Sequence, residues 1–195
     1  MLIKSHTEPK QAFHSIFNEL KQSSSDSRHP FRYMSLATFD KDRQESNIRM
    51  VILREVRKDK SLLAYTDVRT SKFADLSSLN KATLLFWHDR HKVQVTMKAE
   101  AELHHNDEVA SQYWKQDVHG PARKAYTPLV RPGTPISEPV EAYSWPEEYT
   151  DEHFGVLIFK PYHLQILQLK GKEHLRLQFT RQNSDKEWPG GWIAP

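Results

Sequence analysis

The chain has 195 residues and no cysteine, which excludes disulfides, thiolate metal sites and cysteine nucleophiles. Its 28 Lys and Arg residues nearly balance 25 Asp and Glu residues, without the concentrated basic stripe that is typical of nucleic-acid binders. The first residues lack the apolar run of a signal peptide, and no stretch approaches the ~18 apolar residues of a membrane span. We therefore expect a cytoplasmic protein without a nucleic-acid or membrane partner.

The N-terminal segment is predicted to form a helix over about residues 8–22. Pro9 suits the first turn of a helix, and Phe13, Ile16 and Leu20 recur at helical spacing. A polar, serine-rich segment over residues 23–27 ends it. We expect this helix to be part of a single domain that spans residues 1–195.

From Phe31 onward the hydrophobic period changes to that of β-strands. Strands are predicted over residues 31–39, 46–56, 61–66, 82–87, 93–103, 154–159, 163–169 and 174–180, with short helices over 71–79 and 106–114. Pro161 is expected to separate two of these strands, and Gly190-Gly191 to form a turn. Short turns between the strands favour a closed antiparallel barrel, a mainly β fold with peripheral helices.

A long irregular segment interrupts this pattern over about residues 119–146, which contain six prolines. Loops of this length inside a compact domain are usually functional or disordered.

The eleven histidines raise the question of a metal site. His88 and His91 lie in a predicted turn, and the neighbours His104 and His105 point in opposite directions on a strand. Because no carboxylate or third histidine stands at ligand spacing, we expect no metal site.

The segment from Arg49 to Arg54 is a predicted strand with a cation at each end. One interpretation is a barrel strand with solvent-facing arginines. The other involves Ser71 and Lys72, which open the following helix. A helix N-terminus offers free N–H groups and a positive dipole end, so these residues together with Arg49 form a candidate phosphate site.

Several segments carry a resemblance to a known family. The chain resembles the pyridoxamine 5′-phosphate oxidase-like FMN-binding split-barrel flavoproteins in the order and spacing of these segments: Met34 to Thr38, Arg49 to Arg54, Tyr65-Thr66, Ser71-Lys72, Leu84 to Trp87 and Val93 to Val95. The resemblance covers most of the chain and is densest from about Phe31 to Leu103. It implies an antiparallel split β-barrel that binds FMN as a homodimer.

The resemblance also implies the residues that hold the cofactor. FMN is expected at the subunit interface, with Lys72 on its phosphate and Gln94 reaching it from the partner subunit. The expected cofactor contacts are Arg49, Met50, Val51, Ile52, Leu53, Arg54, Tyr65, Thr66, Ser71, Lys72, Gln94 and Arg176. Arg54 and His174 are the candidates for contacting an anionic substrate. No side chain is identified as a catalytic nucleophile.

Some positions differ from the oxidase itself. Arg54 replaces a lysine, Ser71 an arginine and Leu167 a tryptophan, and the Arg-Leu-His triplet that contacts the B6 substrate is replaced by His174-Leu175-Arg176. We therefore expect an FMN-dependent oxidoreductase whose substrate the sequence does not identify. Three alternatives stay open: a genuine pyridoxamine or pyridoxine 5′-phosphate oxidase, a non-catalytic flavin- or haem-binding module, and a dimeric barrel without a ligand.

Overall fold

The computed structural model describes residues 2–169, 173–181 and 187–195. Within them the chain is mainly antiparallel β-sheet with a few helices, as predicted. The helices are α1 (Pro9–Ser25), α2 (Ser71–Ser78) and α3 (Glu108–Asp117). The strands are β1 (Tyr33–Asp40), β2 (Glu45–Ile52), β3 (Glu55–Val56), β4 (Leu62–Asp67), β5 (Lys81–His88), β6 (Val93–His105), β7 (Phe154–Gln168), β8 (Leu175–Thr180) and β9 (Gly190–Ile193).

The strands form one sheet in the order β2-β1-β5-β6-β7-β4-β3, and β8 and β9 extend it from β7. Alternation along each strand explains this arrangement, because one face must be covered. On β6, for example, Val93, Val95 and Met97 are fully buried, whereas Gln94 and Thr96 on the other face are partly exposed. The expectation of a closed barrel is wrong, since no ladder joins the two ends of the sheet in the described residues.

Two predicted strands around Pro161 are one continuous strand, β7, and this corrects the predicted break. The pairing register between β6 and β7 shifts at Lys98/Ala99, where Lys98 pairs with His163 and Ala99 with Pro161. Tyr162 is the extra residue of this β-bulge. A bulge leaves a residue outside the ladder, so the strand can pass a proline that has no N–H to donate.

Other predicted boundaries also change. The strand predicted over residues 46–56 ends at Ile52, and a separate strand, β3, begins at Glu55 and pairs with β4 instead of β1. The predicted turn at Gly190-Gly191 is instead the start of β9, which pairs with β8. A Cβ at Gly190 would overlap the backbone of β8, which explains why glycine stands there.

The sheet is covered on two sides by different helices. Helix α1 buries its apolar side, including Phe13, Ile16 and Leu20, in the main core. Helix α3 packs Trp114 against Phe154 in a smaller second core. No helix in the described ranges combines the length and hydrophobicity that crossing a membrane requires.

The long Pro-rich segment is irregular apart from two short 3-10 helices, Gly120–Ala125 and Pro139–Ala142. One anchor of this segment comes from Arg69, whose Nη2 donates to the carbonyl of Pro128 at 2.8 Å. The segment is therefore attached to the loop that leads into α2.

Candidate functional site

Arg49 lies on the inner face of β2, opposite Leu36 of β1. Its Nη1 donates to Thr38 Oγ1 at 2.5 Å, and its Nη2 lies 3.5 Å from Asp75 Oδ2. Partial burial lowers the pKa of the guanidinium, while Asp75 acts in the opposite direction. The side chain thus lies against Thr38 and Asp75 and is only 21% exposed, contrary to the interpretation of a solvent-facing arginine.

Lys72 lies in the first turn of α2, close to Arg49. Its Nζ donates to Thr66 Oγ1 at 3.1 Å and to Thr70 Oγ1 at 3.0 Å. Burial and the positive charge of Arg49 lower the pKa of Lys72, so the two cations are close enough to repel each other. Among the residues that the structure describes, Lys72 forms no ion pair with a carboxylate.

The start of α2 adds further donors to this place. Thr70 is the N-cap of α2, but its side chain makes no capping bond and instead donates to the Asp67 carbonyl at 2.7 Å. The backbone N–H groups of the first turn are therefore not capped by this residue, and they add a positive dipole end. Ser71 is exposed beside them.

We call Arg49, Thr66, Thr70, Lys72 and Asp75 the Arg49 cluster. It contains two cations and one carboxylate. The nearby carboxylate of Asp67 is engaged by Arg69, whose Nη2 lies 2.6 Å from Asp67 Oδ2. Because two cations and the first-turn N–H groups of α2 converge here, the cluster has the chemistry to bind a phosphate ester, and the residues fit the phosphate of a bound FMN.

Tyr65 does not join this cluster, although it is the neighbour of Thr66. Strand alternation turns it to the other face, where its hydroxyl donates to Asp117 Oδ2 at 2.6 Å. Burial and the hydrogen bond to Asp117 raise the pKa of Tyr65. Arg54 lies over the Tyr65 ring, 5.4 Å from its centroid, and its Nη2 donates to the Tyr126 hydroxyl at 3.4 Å.

We define a second group of residues, the Tyr65 cluster, around this ring. Its members are Arg54, Tyr65, Tyr113, Asp117 and Tyr126. Tyr113 contacts the Tyr65 ring at a centroid distance of 5.8 Å and donates to Glu55 Oε2 at 2.8 Å. The structure therefore divides the predicted cofactor contacts between two places. Arg54 lies in the break between β2 and β3, and Tyr65 faces away from Thr66 because neighbouring residues of a strand point to opposite faces.

The backbone between these arginines is only partly available to a ligand. The N–H of Leu53 donates to the Arg32 carbonyl at 2.9 Å, and the N–H of Arg54 to the Leu63 carbonyl at 2.8 Å. Val51 and Leu53 are buried in the core, whereas Met50 is exposed on the outer face. Ile52, the last residue of β2, is partly exposed.

Gln94 and Arg176 lie on the outer face of the sheet. Gln94 pairs with Leu167, which pairs with Arg176, so the three side chains share one face. Gln94 Nε2 donates to Thr96 Oγ1 at 3.4 Å, and Arg176 Nη2 to Gln165 Oε1 at 2.8 Å. His174 is exposed just before β8.

A cluster of possible metal ligands was missed by the sequence analysis, because its members are far apart in sequence. Glu19, His29 and His88 bring one ligand atom each within 4.8 Å of one another. However, Nδ1 of His29 accepts the Phe31 N–H, and Nδ1 of His88 accepts the His91 N–H. Each Nε2 therefore carries the proton, and that of His29 lies 3.1 Å from Glu19 Oε2, which favours a carboxylate-histidine contact between α1 and the segment before β1 over a metal centre.

Asp75 and Thr38 were also missed. Both are buried, and the Thr38 hydroxyl donates to Asp75 Oδ2 at 2.6 Å. Asp75 could have been noticed as a carboxylate one helical turn before the apolar Leu79, where a buried charge needs a partner.

Solved structures of other proteins share this fold. A pyridoxamine 5′-phosphate oxidase-related, FMN-binding protein from Nostoc punctiforme is 21% identical, with a TM-score of 0.77 over 94% of this chain and 97% of that chain. PhzG from Burkholderia lata, in complex with tetrahydrophenazine-1-carboxylic acid, is 14% identical, with a TM-score of 0.71 over 94% and 92%. A general stress protein 26-related protein from Clostridium acetobutylicum is 16% identical, with a TM-score of 0.55 over 87% and 95%.

The fold is therefore that of the FMN-binding split barrels, which confirms the predicted class. Residues 10–105 match the family model described as pyridoxamine 5′-phosphate oxidase, FMN-binding domain. Over this segment the chain is thus similar to the FMN-binding domain of pyridoxamine 5′-phosphate oxidase, as the resemblance indicated. No curated protein matches the sequence significantly.

Proposed function

We propose that the protein binds FMN, with the phosphate of the cofactor at the Arg49 cluster. The observation that carries this proposal is the convergence of Arg49 and Lys72, which come from different elements and lie close enough for the charge of Arg49 to lower the pKa of Lys72. A bound phosphate would relieve the repulsion between these two cations. Ser71 and the first-turn N–H groups of α2 are proposed to complete the phosphate site.

The energetics support this assignment. A hydrogen bond to a charged group contributes about 1.5–3 kcal/mol, and micromolar affinity corresponds to about −8 kcal/mol. Three such bonds, from Arg49, Lys72 and one hydroxyl or N–H, would supply much of that free energy. The phosphate is therefore expected to contribute more affinity than the flavin ring.

The rest of the cofactor is proposed to lie along β2. Of the expected contacts, Met50 and Ile52 present side chains outside the core, whereas Val51 and Leu53 are buried and can contribute only through their backbone or by supporting the strand. We propose that Tyr65 supports β4 from the face opposite Thr66. Arg54 and His174 are the proposed contacts of an anionic substrate.

A homodimer is part of the proposal because the outer sheet face is apolar. Ile48 is 69% exposed and Met50 is 59% exposed, and Tyr33 and Trp87 are also exposed on this face. Monomeric proteins rarely leave such a contiguous patch in water. Gln94 and Arg176 share this face, so pairing two copies here would bring them to the partner's cofactor.

We further propose that the protein is an FMN-dependent oxidoreductase. Bound FMN supplies hydride and electron transfer, and the protein orients it and tunes it by hydrogen bonds. In this chain, Arg49 and Lys72 would bind the phosphate of the cofactor. The Arg69 bond to the Pro128 carbonyl would keep the Pro-rich segment next to the α2 loop.

The first test is the absorption spectrum of the protein as purified, compared with its concentration. Flavin bands with about one FMN per chain would support the proposal, whereas a Soret band would favour haem and an uncoloured protein that takes up no FMN would contradict it. Turnover is then tested on two substrates, pyridoxine 5′-phosphate and tetrahydrophenazine-1-carboxylic acid, by measuring peroxide. Activity on pyridoxine 5′-phosphate would identify a genuine B6 phosphate oxidase. Bound FMN that neither of the two substrates reduces would favour a flavin-binding module.

A further inference from the structure

A buried carboxylate stands next to the proposed phosphate ligand Arg49. Asp75 lies on the inner side of α2, about one turn after Lys72, and its side chain is 5% exposed. A single oxygen, Oδ2, accepts the Thr38 hydroxyl at 2.6 Å and the Asn47 amide at 3.3 Å, and it also lies 3.5 Å from Arg49 Nη2. A carboxylate beside a phosphate site is unexpected, since the two anions repel each other.

The geometry around Arg49 explains what the carboxylate can do. Thr38 Oγ1 accepts a hydrogen bond from Arg49 Nη1 and donates a hydrogen bond to Asp75 Oδ2. Nη1 also approaches the carbonyl oxygens of Leu36 and Asn47, at 3.4 and 3.3 Å. Both terminal nitrogens of the guanidinium are thus held, Nη1 by Thr38 and Nη2 by Asp75.

This arrangement matters because an arginine side chain is long and has many rotamers. Binding a phosphate with a free arginine requires that the side chain be ordered at that moment, which weakens binding. A guanidinium that is already fixed binds with less loss of entropy, because its planar donor geometry is set in advance. The counter-charge of Asp75 also allows Arg49 to stay half-buried beside Lys72 before an anion arrives.

We propose that Asp75, acting with Thr38, is a positioning residue that fixes the Arg49 guanidinium for the phosphate of FMN. This inference rests on the proposed function. Asp75 itself does not contact the cofactor in this account, and its contribution is made through Arg49. The favourable ordering of Arg49 outweighs the repulsion between the carboxylate and the phosphate.

The test compares FMN with riboflavin, which has the same ring and no phosphate. Apoprotein is titrated with each flavin, the quenching of flavin fluorescence gives both dissociation constants, and their ratio reports the phosphate site alone. Asp75→Ala is expected to lower the preference for FMN by about tenfold, the effect of losing one hydrogen bond to a charged group. Riboflavin affinity should stay unchanged, which a merely structural role would not produce.

The isosteric variant Asp75→Asn separates positioning from charge. It keeps an oxygen that can accept from Thr38 and Arg49, so it should retain the preference for FMN within about threefold, well under the effect of a lost charged hydrogen bond. In an Arg49→Ala background, Asp75→Ala should cause no further loss, because its effect passes through Arg49. Thr38→Val is expected to lower the preference in the same direction as Asp75→Ala, and it decides the question if Asp75→Ala does not fold.

Three outcomes would overturn the inference: an unchanged preference for FMN in Asp75→Ala or Thr38→Val, an equal loss of FMN and riboflavin, or additive losses with Arg49→Ala. A different result would overturn the proposed function instead. If the parent protein shows no preference for FMN over riboflavin, the phosphate site itself is wrong.

Discussion

The Arg49 cluster and the Tyr65 cluster differ in charge balance, although each contains an arginine from the same predicted strand, Arg49 in one and Arg54 in the other. In the Arg49 cluster, two cations share one carboxylate, and Lys72 has only hydroxyl partners in the part of the chain described. In the Tyr65 cluster, one arginine stands with one carboxylate, and the Tyr65 hydroxyl is engaged by Asp117. The excess positive charge, and not the presence of arginine, is therefore the feature on which we base the proposed anion site.

The largest effect is expected from removing the excess charge. Arg49→Ala and Lys72→Ala should each weaken FMN binding by about 1–3 kcal/mol, roughly five- to 150-fold, and the double variant should purify without flavin. Fluorescence titration of the apoproteins measures the loss. Arg43→Ala is the matched control, since that side chain is 78% exposed in the β1–β2 turn, and its affinity should equal that of the parent.

If either single variant holds FMN as tightly as the parent, its cation is not a phosphate ligand, and the difference between the two clusters has no functional meaning.

The second prediction concerns the apolar outer face that is proposed to pair two copies. Ile48→Lys places a charge on this face, and an unpaired charge in an interface is costly, so we expect the dimer dissociation constant to rise at least about tenfold. Analytical ultracentrifugation measures it. Asn18→Lys adds the same charge on the exposed side of α1 and should leave the assembly unchanged. A parent protein that is monomeric at all concentrations would contradict the proposed interface.

The third prediction separates the two clusters directly. Tyr65→Phe removes the hydroxyl that bonds to Asp117, and we expect a loss of about 0.5–1.5 kcal/mol in the free energy of unfolding. The relative affinity for FMN and riboflavin should not change, because this hydroxyl faces away from Lys72. Denaturant unfolding and flavin titration test the two parts. A large drop in FMN preference would mean that the Tyr65 cluster also binds the phosphate.

The smallest effect is expected from His88, the last residue of β5. Burial and the neighbouring His91 lower the pKa of His88 in the folded state. The unfolded chain therefore takes up a proton first, and stability should fall as the pH drops from above about 6.5, the pKa of a free histidine, towards the lower folded pKa. His88→Gln should reduce this dependence, measured as Tm between pH 7.5 and 5.5. An identical pH dependence in the variant would exclude His88 as its source.

The sequence predicted the fold class because alternation and turns are local. The buried and exposed faces of β6 follow directly from its residues, and the convergence of Arg49 and Ser71-Lys72 was expected from a strand and a helix N-terminus. The bulge at Tyr162 and the break after Ile52 were not predictable, because both depend on how distant strands pair. Arg54 lies at that break, whereas strand alternation turns Tyr65 away from the Arg49 cluster.

Buried polar partners were the other part that the sequence did not reveal. Asp75 and Thr38 meet only when α2 packs on β1, and Glu19 meets His29 only when α1 packs against the segment before β1. Nothing local marks these residues as partners. Sequence reasoning therefore identified the cations that would bind a phosphate but not the groups that hold them in place.

The most direct test of the central claim is the affinity of the parent apoprotein for FMN and for riboflavin, measured side by side. Our account predicts that FMN binds at least about a hundredfold more tightly, since two or more charged hydrogen bonds depend on the phosphate. Equal affinities would mean that no phosphate binds between Arg49 and Lys72, and would contradict the account.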